Sequence, residues 1–141
     1  MSFHLNNAQQ MDMYDSLFLL TERDIKHLKN SWAEIFSKKI FLFIDEERFR
    51  VLYSDSLASR PNNPVNICFG LLILREGNQS DEEALNSLLF DLRYQYALHT
   101  TSFPEQPISK NSLTNFRAVV YRYSQEHSVD LIQEEIESHA Q

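Results

Sequence analysis

The sequence predicts an all-α protein, and three observations support that fold class. Only two glycines and four prolines occur among 141 residues, whereas Leu, Glu, Gln, Lys and Arg are plentiful. This composition favours helices over turn-rich sandwiches and barrels. Apolar residues recur at helical spacing in several segments, and Ser, Thr or Asn precedes most of these segments as a helix N-cap would. The length suits a single compact multi-helix domain without disulfide or metal support.

The N-terminal third predicts an arm and one long helix. Residues 1–20 mix polar amides with a cluster of apolar side chains and lack a clear period, which indicates a loosely docked arm. Thr21 and Asp24 have the spacing of a capping box, and helical periodicity then predicts a helix over 22–37. Residues 38–53 fit either a short strand or another helical turn, and we favour the helix.

A loop and a buried helix are predicted next. Residues 54–64 are rich in Ser, Asn and Pro and have no apolar period, which indicates a connecting loop. Asn63 can cap a helix whose first position is Pro64. The run 65–74 is apolar on nearly all sides, which is typical of a central helix with no exposed face.

Two further capped helices are predicted in the C-terminal half. Ser80 precedes a Leu-rich segment that predicts a helix over 81–98. After a loop with two prolines, Ser109 or Asn111 can cap a helix that reaches about Tyr123. The apolar side of this last strong helix consists of Leu113, Phe116, Val120 and Tyr123.

Charge is distributed unevenly along the chain. The formal net charge is −7, which argues against a uniformly basic nucleic-acid binder because Lys and Arg neutralise phosphates. The segment 108–123 nevertheless contains Lys110, Arg117 and Arg122 and no acid. Acidic residues crowd the last part of the chain instead, and we interpret those at 134–137 as a solvent-exposed face.

The sequence also indicates a compartment. Cys68 is the only cysteine and lies in an apolar run, so no disulfide framework is expected and the thiol should pack as a small apolar side chain. The N-terminus has no basic region ahead of an apolar stretch, and no apolar run approaches the roughly 20 residues that cross a bilayer. We therefore expect a soluble cytoplasmic protein without a membrane partner.

No catalytic motif stands out. The five histidines share no metal-ligand spacing, and two glycines cannot form the usual phosphate-binding loops. The acidic clusters at 45–47 and 81–83 lie next to expected helix starts, where carboxylates interact favourably with the helix dipole. We predict no metal site, no cofactor and no stand-alone enzymatic activity.

Three motifs resemble the N-terminal domain of InsH-type insertion-sequence transposases. In that family an Arg-Pro and a second Pro precede an apolar helix, an Asp-rich cap opens a Leu-rich helix, and Ser-x-x-x-Leu-x-x-Phe-Arg opens the last helix. The corresponding residues here are Arg60, Pro61 and Pro64, then Ser80 and Asp81, and finally Ser109, Leu113, Phe116 and Arg117. The resemblance is close over residues 54–126.

The resemblance implies a DNA-binding helical module that recognises the terminal inverted repeats of the element in double-stranded DNA. In the family this module precedes an RNase-H-like catalytic domain whose Asp, Asp and Glu hold divalent metal for strand cleavage and transfer. Residues 1–20 would form the arm, 21–126 the helical domain, and 127–141 an amphipathic acidic end piece that leads toward the catalytic domain. Without that domain the chain is expected to be a truncated transposase that does not cut DNA.

The last strong helix is the candidate DNA-recognition surface, in a C-terminal half that we describe as helix-turn-helix-like. Its connection from Leu98 to Ser109 is longer than the turn of a standard helix-turn-helix. Asn can bond adenine, and Arg and Lys can bond guanine or phosphate. Arg117 could instead pair with Asp91 or a loop carbonyl and hold the fold. The candidate residues are Lys110, Asn111, Thr114, Asn115, Arg117, Tyr121 and Arg122.

Two other functions remain open. The net negative charge and the apolar arm also suit a protein-interaction or oligomerisation module. Such a module would pair with full-length transposase, or with itself, and regulate the transposase. A decayed transposase fragment without a selected role is the third alternative.

Overall fold

The computed structural model describes residues 15–53, 64–75 and 79–140, and every regular element in these ranges is helical. The all-α prediction is confirmed. The elements are α1 (Glu22–Lys29), α2 (Trp32–Lys39), α3 (Val65–Leu74), α4 (Asp81–Phe90), α5 (Leu92–Ala97), α6 (Lys110–His127) and α7 (Leu131–His139), with 3₁₀ helices at Ser16–Leu19, Phe41–Phe43 and Glu46–Leu52. Most of the predicted arm and nearly all of the predicted loop at 54–64 lie outside the described residues.

The helix predicted over 22–37 is two helices, so that prediction was wrong. Its break lies at Asn30 and Ser31, between α1 and α2. The Ser31 hydroxyl donates to the Leu28 carbonyl at 2.6 Å and accepts from the Ala33 amide at 3.2 Å. Ser and Asn side chains compete with the backbone for hydrogen bonds and therefore favour helix ends over helix interiors. Because the apolar residues keep their helical spacing across the break, the sequence pattern did not indicate it.

The long helix predicted over 81–98 is also broken, at Asp91. The Asp91 amide donates to the Ser87 carbonyl and ends α4, while the Asp91 carboxylate accepts from the Arg93 amide at 3.0 Å and caps α5. The Gln95 side chain crosses the corner and donates to the Leu88 carbonyl at 2.9 Å. One acidic residue therefore ends one helix and begins the next.

Helix α3 is the central helix that the sequence predicted. Val65 to Leu71 are buried, and the helix packs on α4, α6 and the 3₁₀ helix Glu46–Leu52. Gly70 permits a close approach, because an added Cβ would lie 2.6 Å from the Leu98 Cδ2 atom. Cys68 is fully buried in this helix, and burial raises the pKa of its thiol to about 12. The packing confirms its interpretation as a small apolar side chain.

The structure also defines residues 38–53, for which the sequence allowed a strand or a helix, and the end of the N-terminal arm. Residues 38–53 complete α2 and then form two 3₁₀ helices rather than a strand. At the N-terminal side, Leu17 and Leu20 pack against the core and the Ser16 amide donates to the Thr101 carbonyl at 2.8 Å. The described end of the arm is thus attached to the body of the protein.

The C-terminal half is not arranged as a standard helix-turn-helix. Helix α5 packs mainly on α2 and α4, whereas α6 packs on α3, α4 and α7, and the irregular segment 98–109 separates α5 from α6. The helix-turn-helix-like part of the prediction is therefore not confirmed.

Candidate nucleic-acid interface

Helix α6 is the longest described helix and carries all seven predicted site residues. Its 18 residues extend about 27 Å at 1.5 Å per residue. Ser109 caps the helix, and the Ser109 and Ser112 side chains each accept a hydrogen bond from the other residue's backbone amide. The sequence allowed Ser109 or Asn111 as the cap, and the structure selects Ser109. A rigidly capped start fixes the orientation of the first turn, where Lys110 and Asn111 lie.

The two sides of α6 are clearly separated. Leu113, Phe116 and Val120 are buried, and Tyr123 is partly buried against the core, as predicted. Six of the seven candidate side chains are exposed and lie along the opposite side. We call this surface the α6 outer face, and it consists of Lys110, Asn111, Thr114, Asn115, Ala118, Tyr121, Arg122 and Gln125.

Arg117 differs from the other six candidates because its guanidinium is already paired. It donates to the Asp81 carboxylate at the start of α4, and Arg75 Nη1 at the end of α3 lies 2.5 Å from the same carboxylate. The Asp81 side chain is only 10% exposed. Three helices are therefore joined through one acid. The alternative partner from the sequence, Asp91, pairs with Arg93 instead.

Replacing Arg117 with glutamine is expected to lower the free energy of unfolding by about 1–2 kcal/mol, because a charge-assisted hydrogen bond to a largely buried carboxylate is lost. Urea denaturation followed by circular dichroism measures the change. Arg122→Gln, which removes the same charge from an exposed position on the same helix, is the matched control and should change stability by less than about 0.5 kcal/mol. Equal stability of the two variants would show that the Asp81 pair contributes nothing.

The α6 outer face offers hydrogen-bond donors and acceptors together with a modest positive charge. Lys110 and Arg122 are its cations, and its two Asn side chains present amides one turn apart. No acid lies between residues 108 and 125, and the exposed Glu126 follows. Amides near the start of a helix and cations along it can contact base edges and phosphates in a major groove.

The acidic clusters have the structural roles that their positions indicated. Asp45 caps the 3₁₀ helix Glu46–Leu52, and Ser80 caps α4 with residues 81–83 in its first turn. Within residues 15–53, 64–75 and 79–140, no three His, Cys, Asp or Glu side chains are grouped as a metal site requires. None of the helices in these ranges is long and apolar enough to span a membrane.

One interpretation of the acids was wrong. Glu135 belongs to the segment that we expected to be solvent-exposed, yet its side chain is completely buried. Arg48 Nε donates to Glu135 Oε2 at 2.8 Å, the Asp45 amide donates to Oε1 at 2.8 Å, and His139 Nε2 lies 3.1 Å from Oε1. Glu135 thus anchors α7 to a segment nearly ninety residues earlier in the chain. No local pattern in the sequence indicated this pairing.

The structure also brings together Ser37 and His99, a pair that the sequence did not suggest. Ser37 Oγ lies 2.6 Å from His99 Nε2, and the His99 ring packs on Phe41 at a centroid distance of 4.6 Å. Burial, assisted by the nearby Lys38 charge, lowers the pKa of His99. Ser37 is buried, so its hydroxyl is not presented to a substrate. His99 itself has a left-handed backbone conformation, with φ of 59°.

Comparison with known proteins gave no match to a family model, to a curated protein or to a solved structure.

Proposed function

We propose that the protein is the DNA-binding N-terminal module of an insertion-sequence transposase and that the α6 outer face recognises the terminal inverted repeats in double-stranded DNA. The single observation that carries this proposal is the exposure of six of the seven candidate side chains along one side of α6. The proposal also rests on the motif resemblance over residues 54–126. In this proposal, cleavage and strand transfer belong to a separate catalytic domain.

The side-chain chemistry of the α6 outer face indicates which residues would contact bases and which would contact phosphates. Asn111 and Asn115 are the side chains suited to read adenine, because a carboxamide can donate its N–H to adenine N7 while its oxygen accepts from the adenine N6 amino group. Lys110 and Arg122 would neutralise phosphates and set the register of the helix on the duplex. Arg117, held by Asp81, would position α6 rather than contact bases.

The two cations of the α6 outer face imply that binding depends weakly on salt concentration. Each neutralised phosphate contributes about −0.9 to the slope of log K against log salt concentration, so the face alone predicts a slope of roughly −2. A net charge of −7 also disfavours non-specific binding to DNA. The proposal therefore requires that contacts to base edges supply most of the preference for the inverted repeat over other DNA sequences.

The test is a fluorescence-anisotropy titration of two duplexes, one carrying the inverted repeats that flank the coding sequence and one with the same bases scrambled, at two salt concentrations. Asn111→Ala and Asn115→Ala should each weaken binding to the inverted repeat about fivefold to a hundredfold, and affect the scrambled duplex little. Arg122→Gln should weaken binding to both duplexes equally and reduce the salt slope by about 1.

Arg23→Gln on α1 is the matched control, because it removes one exposed arginine charge outside the α6 outer face. It should leave the affinity for the inverted repeat and the salt slope unchanged. Equal, weak binding of the wild-type protein to both duplexes would exclude specific recognition. Absence of inverted repeats and of a coding region with spaced Asp, Asp and Glu codons near this gene would remove the transposase assignment.

A further inference from the structure

A polar groove of about 550 Å³ lies where the N-terminal segment meets the irregular segment between α5 and α6. Its volume falls within the range of small-ligand sites, and the proposed function does not use it. Its described walls contain no residue of α6, so the groove is separate from the α6 outer face. We call it the 103–106 groove, and its walls include Ser16, Leu89, Gln95, Phe103, Glu105 and Gln106.

Backbone hydrogen bonds hold the walls of this groove in place. The Phe103 amide donates to the Thr100 carbonyl at 3.2 Å, and the Thr100 amide donates to the Gln95 carbonyl at 2.8 Å. The Ser16 amide donates to the Thr101 carbonyl at 2.8 Å and attaches the N-terminal segment to the same loop. The walls are therefore ordered before any ligand binds, which lowers the entropic cost of binding.

The Gln95 side chain offers its oxygen as a hydrogen-bond acceptor. Gln95 is buried and lines the groove. Its Nε2 atom donates to the Leu88 carbonyl at 2.9 Å and to the Leu89 carbonyl at 3.2 Å. These carbonyls fix the orientation of the carboxamide, because an oxygen in the place of Nε2 would face two other acceptors. The two N–H groups are thus engaged, and the oxygen is the group that is left for a ligand.

Gln106 supplies a second acceptor in the same groove. Its Nε2 atom donates to the Thr100 carbonyl at 3.4 Å. Its Oε1 atom is shielded from solvent and has no hydrogen-bond partner among the described residues, and the same holds for the hydroxyl of the fully buried Thr100. Buried polar atoms in native proteins nearly always have a partner. An unpartnered acceptor in the wall of a groove therefore indicates a donor from outside the described chain.

The groove also has a negative charge and no side-chain cation. Glu105 contributes an exposed carboxylate, and none of the described residues that line the groove is Lys, Arg or His. A guanidinium group matches these walls, because it has a positive charge, five N–H donors in one plane and no acceptor. Phe103 adds an aromatic side chain, which attracts a guanidinium, and Leu89 adds apolar surface for an attached methylene chain.

We propose that the 103–106 groove binds an alkylguanidinium group, which belongs either to a free small molecule or to an arginine side chain in a peptide. Glu105 would pair with the charge, and the side-chain oxygens of Gln95 and Gln106 would accept from the N–H groups. An ammonium group suits the groove less well, because it has only three donors on a compact charge. The inference is independent of DNA binding, because no residue of the α6 outer face takes part.

Isothermal titration calorimetry of the full chain with three probes tests this inference. The probes are N-acetylarginine amide, free L-arginine and N-acetylcitrulline amide, in which a neutral urea group replaces the guanidinium. N-acetylarginine amide should bind with a dissociation constant of about 1 mM or lower, and the citrulline probe at least about tenfold more weakly. Tighter binding of the capped arginine would assign the group to a peptide, and tighter binding of free arginine to a small molecule; either result supports the site.

Variants and chemical shifts locate the binding site. Glu105→Gln and Gln106→Leu should each weaken binding of N-acetylarginine amide about fivefold, because the first removes the charge and the second the unpartnered acceptor. Glu126→Gln, which removes an exposed carboxylate on α6, is the matched control and should leave the affinity unchanged. In ¹H–¹⁵N spectra of the wild type, the probe should shift the backbone amides of 103–106 and the side-chain amides of Gln95 and Gln106.

Three results would each overturn the inference. The first is absence of binding at millimolar probe concentration, and the second is binding of the citrulline probe as tight as that of N-acetylarginine amide. The third is equal affinity of Glu105→Gln and Glu126→Gln together with unchanged chemical shifts at 103–106. Circular dichroism checks that each variant keeps the helical fold. Because the chemical shifts are measured on the wild type, a variant that fails to fold does not prevent the test.

Discussion

Replacing Glu135 with alanine is expected to lower the free energy of unfolding by about 3–5 kcal/mol, the cost of removing one partner from a buried ion pair. The Glu135 carboxylate accepts hydrogen bonds from Arg48 and from the Asp45 amide, whereas Glu134, which also pairs with Arg48, is exposed. Hydrogen bonding to Glu135 also raises the pKa of Arg48. Loss of this acid leaves a partly buried guanidinium without its main partner and releases α7 from the body. Urea denaturation monitored by circular dichroism measures the change.

Glu134→Ala is the matched control for this prediction. Glu134 pairs with the same arginine, at 3.2 Å, but is exposed. Exposed ion pairs contribute about 0–1 kcal/mol, so this variant should be nearly as stable as the wild type. Glu135→Gln separates the loss of charge from the loss of packing and hydrogen bonding, because glutamine keeps the shape and one acceptor oxygen but has no charge. If Glu135→Ala and Glu134→Ala lost the same stability, α7 would not be held by the buried carboxylate.

Replacing Phe49 with alanine is expected to destabilise the fold by about 3–5 kcal/mol, which is the usual range for a large buried aromatic side chain. Phe49 is fully buried, and its ring centroid lies 5.9 Å from that of Phe69 on α3 and 5.5 Å from that of Phe116 on α6. The substitution leaves a cavity between three elements that are distant in sequence. Equilibrium unfolding and the binding of a hydrophobic dye to the partly loosened core measure the effect.

Phe43→Ala gives the comparison for Phe49, since Phe43 is a phenylalanine of the preceding 3₁₀ helix with its side chain 68% exposed. Its removal should change stability by less than about 0.5 kcal/mol. Under the proposed function, Phe49→Ala should also weaken binding of the inverted repeat while the variant is still folded, because Phe49 supports Phe116 on α6. If the Phe49→Ala variant were as stable as the wild type, the rings of Phe49, Phe69 and Phe116 would not form a shared core.

The candidate site was predictable because it lies on one continuous helix. Three- and four-residue spacing separates Leu113, Phe116 and Val120 from the polar positions without reference to any other element. Exposure of six of the seven candidates follows from that local rule. The pairing of Arg117 with Asp81 was not predictable, because the two residues are separated by 36 positions and belong to different helices.

The lengths of helices were predicted less well than their existence. The capping positions Thr21, Ser80 and Ser109 all begin helices in the structure. The internal ends at Ser31 and Asp91 were missed, because each apolar period continues across the break. A polar residue inside a periodic segment can face solvent or end the helix, and its tertiary surroundings decide between these outcomes.

The sequence by itself determined the all-α class, the buried central helix α3 and the two-sided character of α6. These features depend on composition and on short-range periodicity, which act within a few turns of one helix. Only the tertiary structure decided that Asp81, which is largely shielded from solvent, and Glu135, which is fully buried, are the centres of ion pairs between distant elements. The reason is physical: burial of a charge depends on which distant elements pack around it, and a one-dimensional pattern contains no such distances.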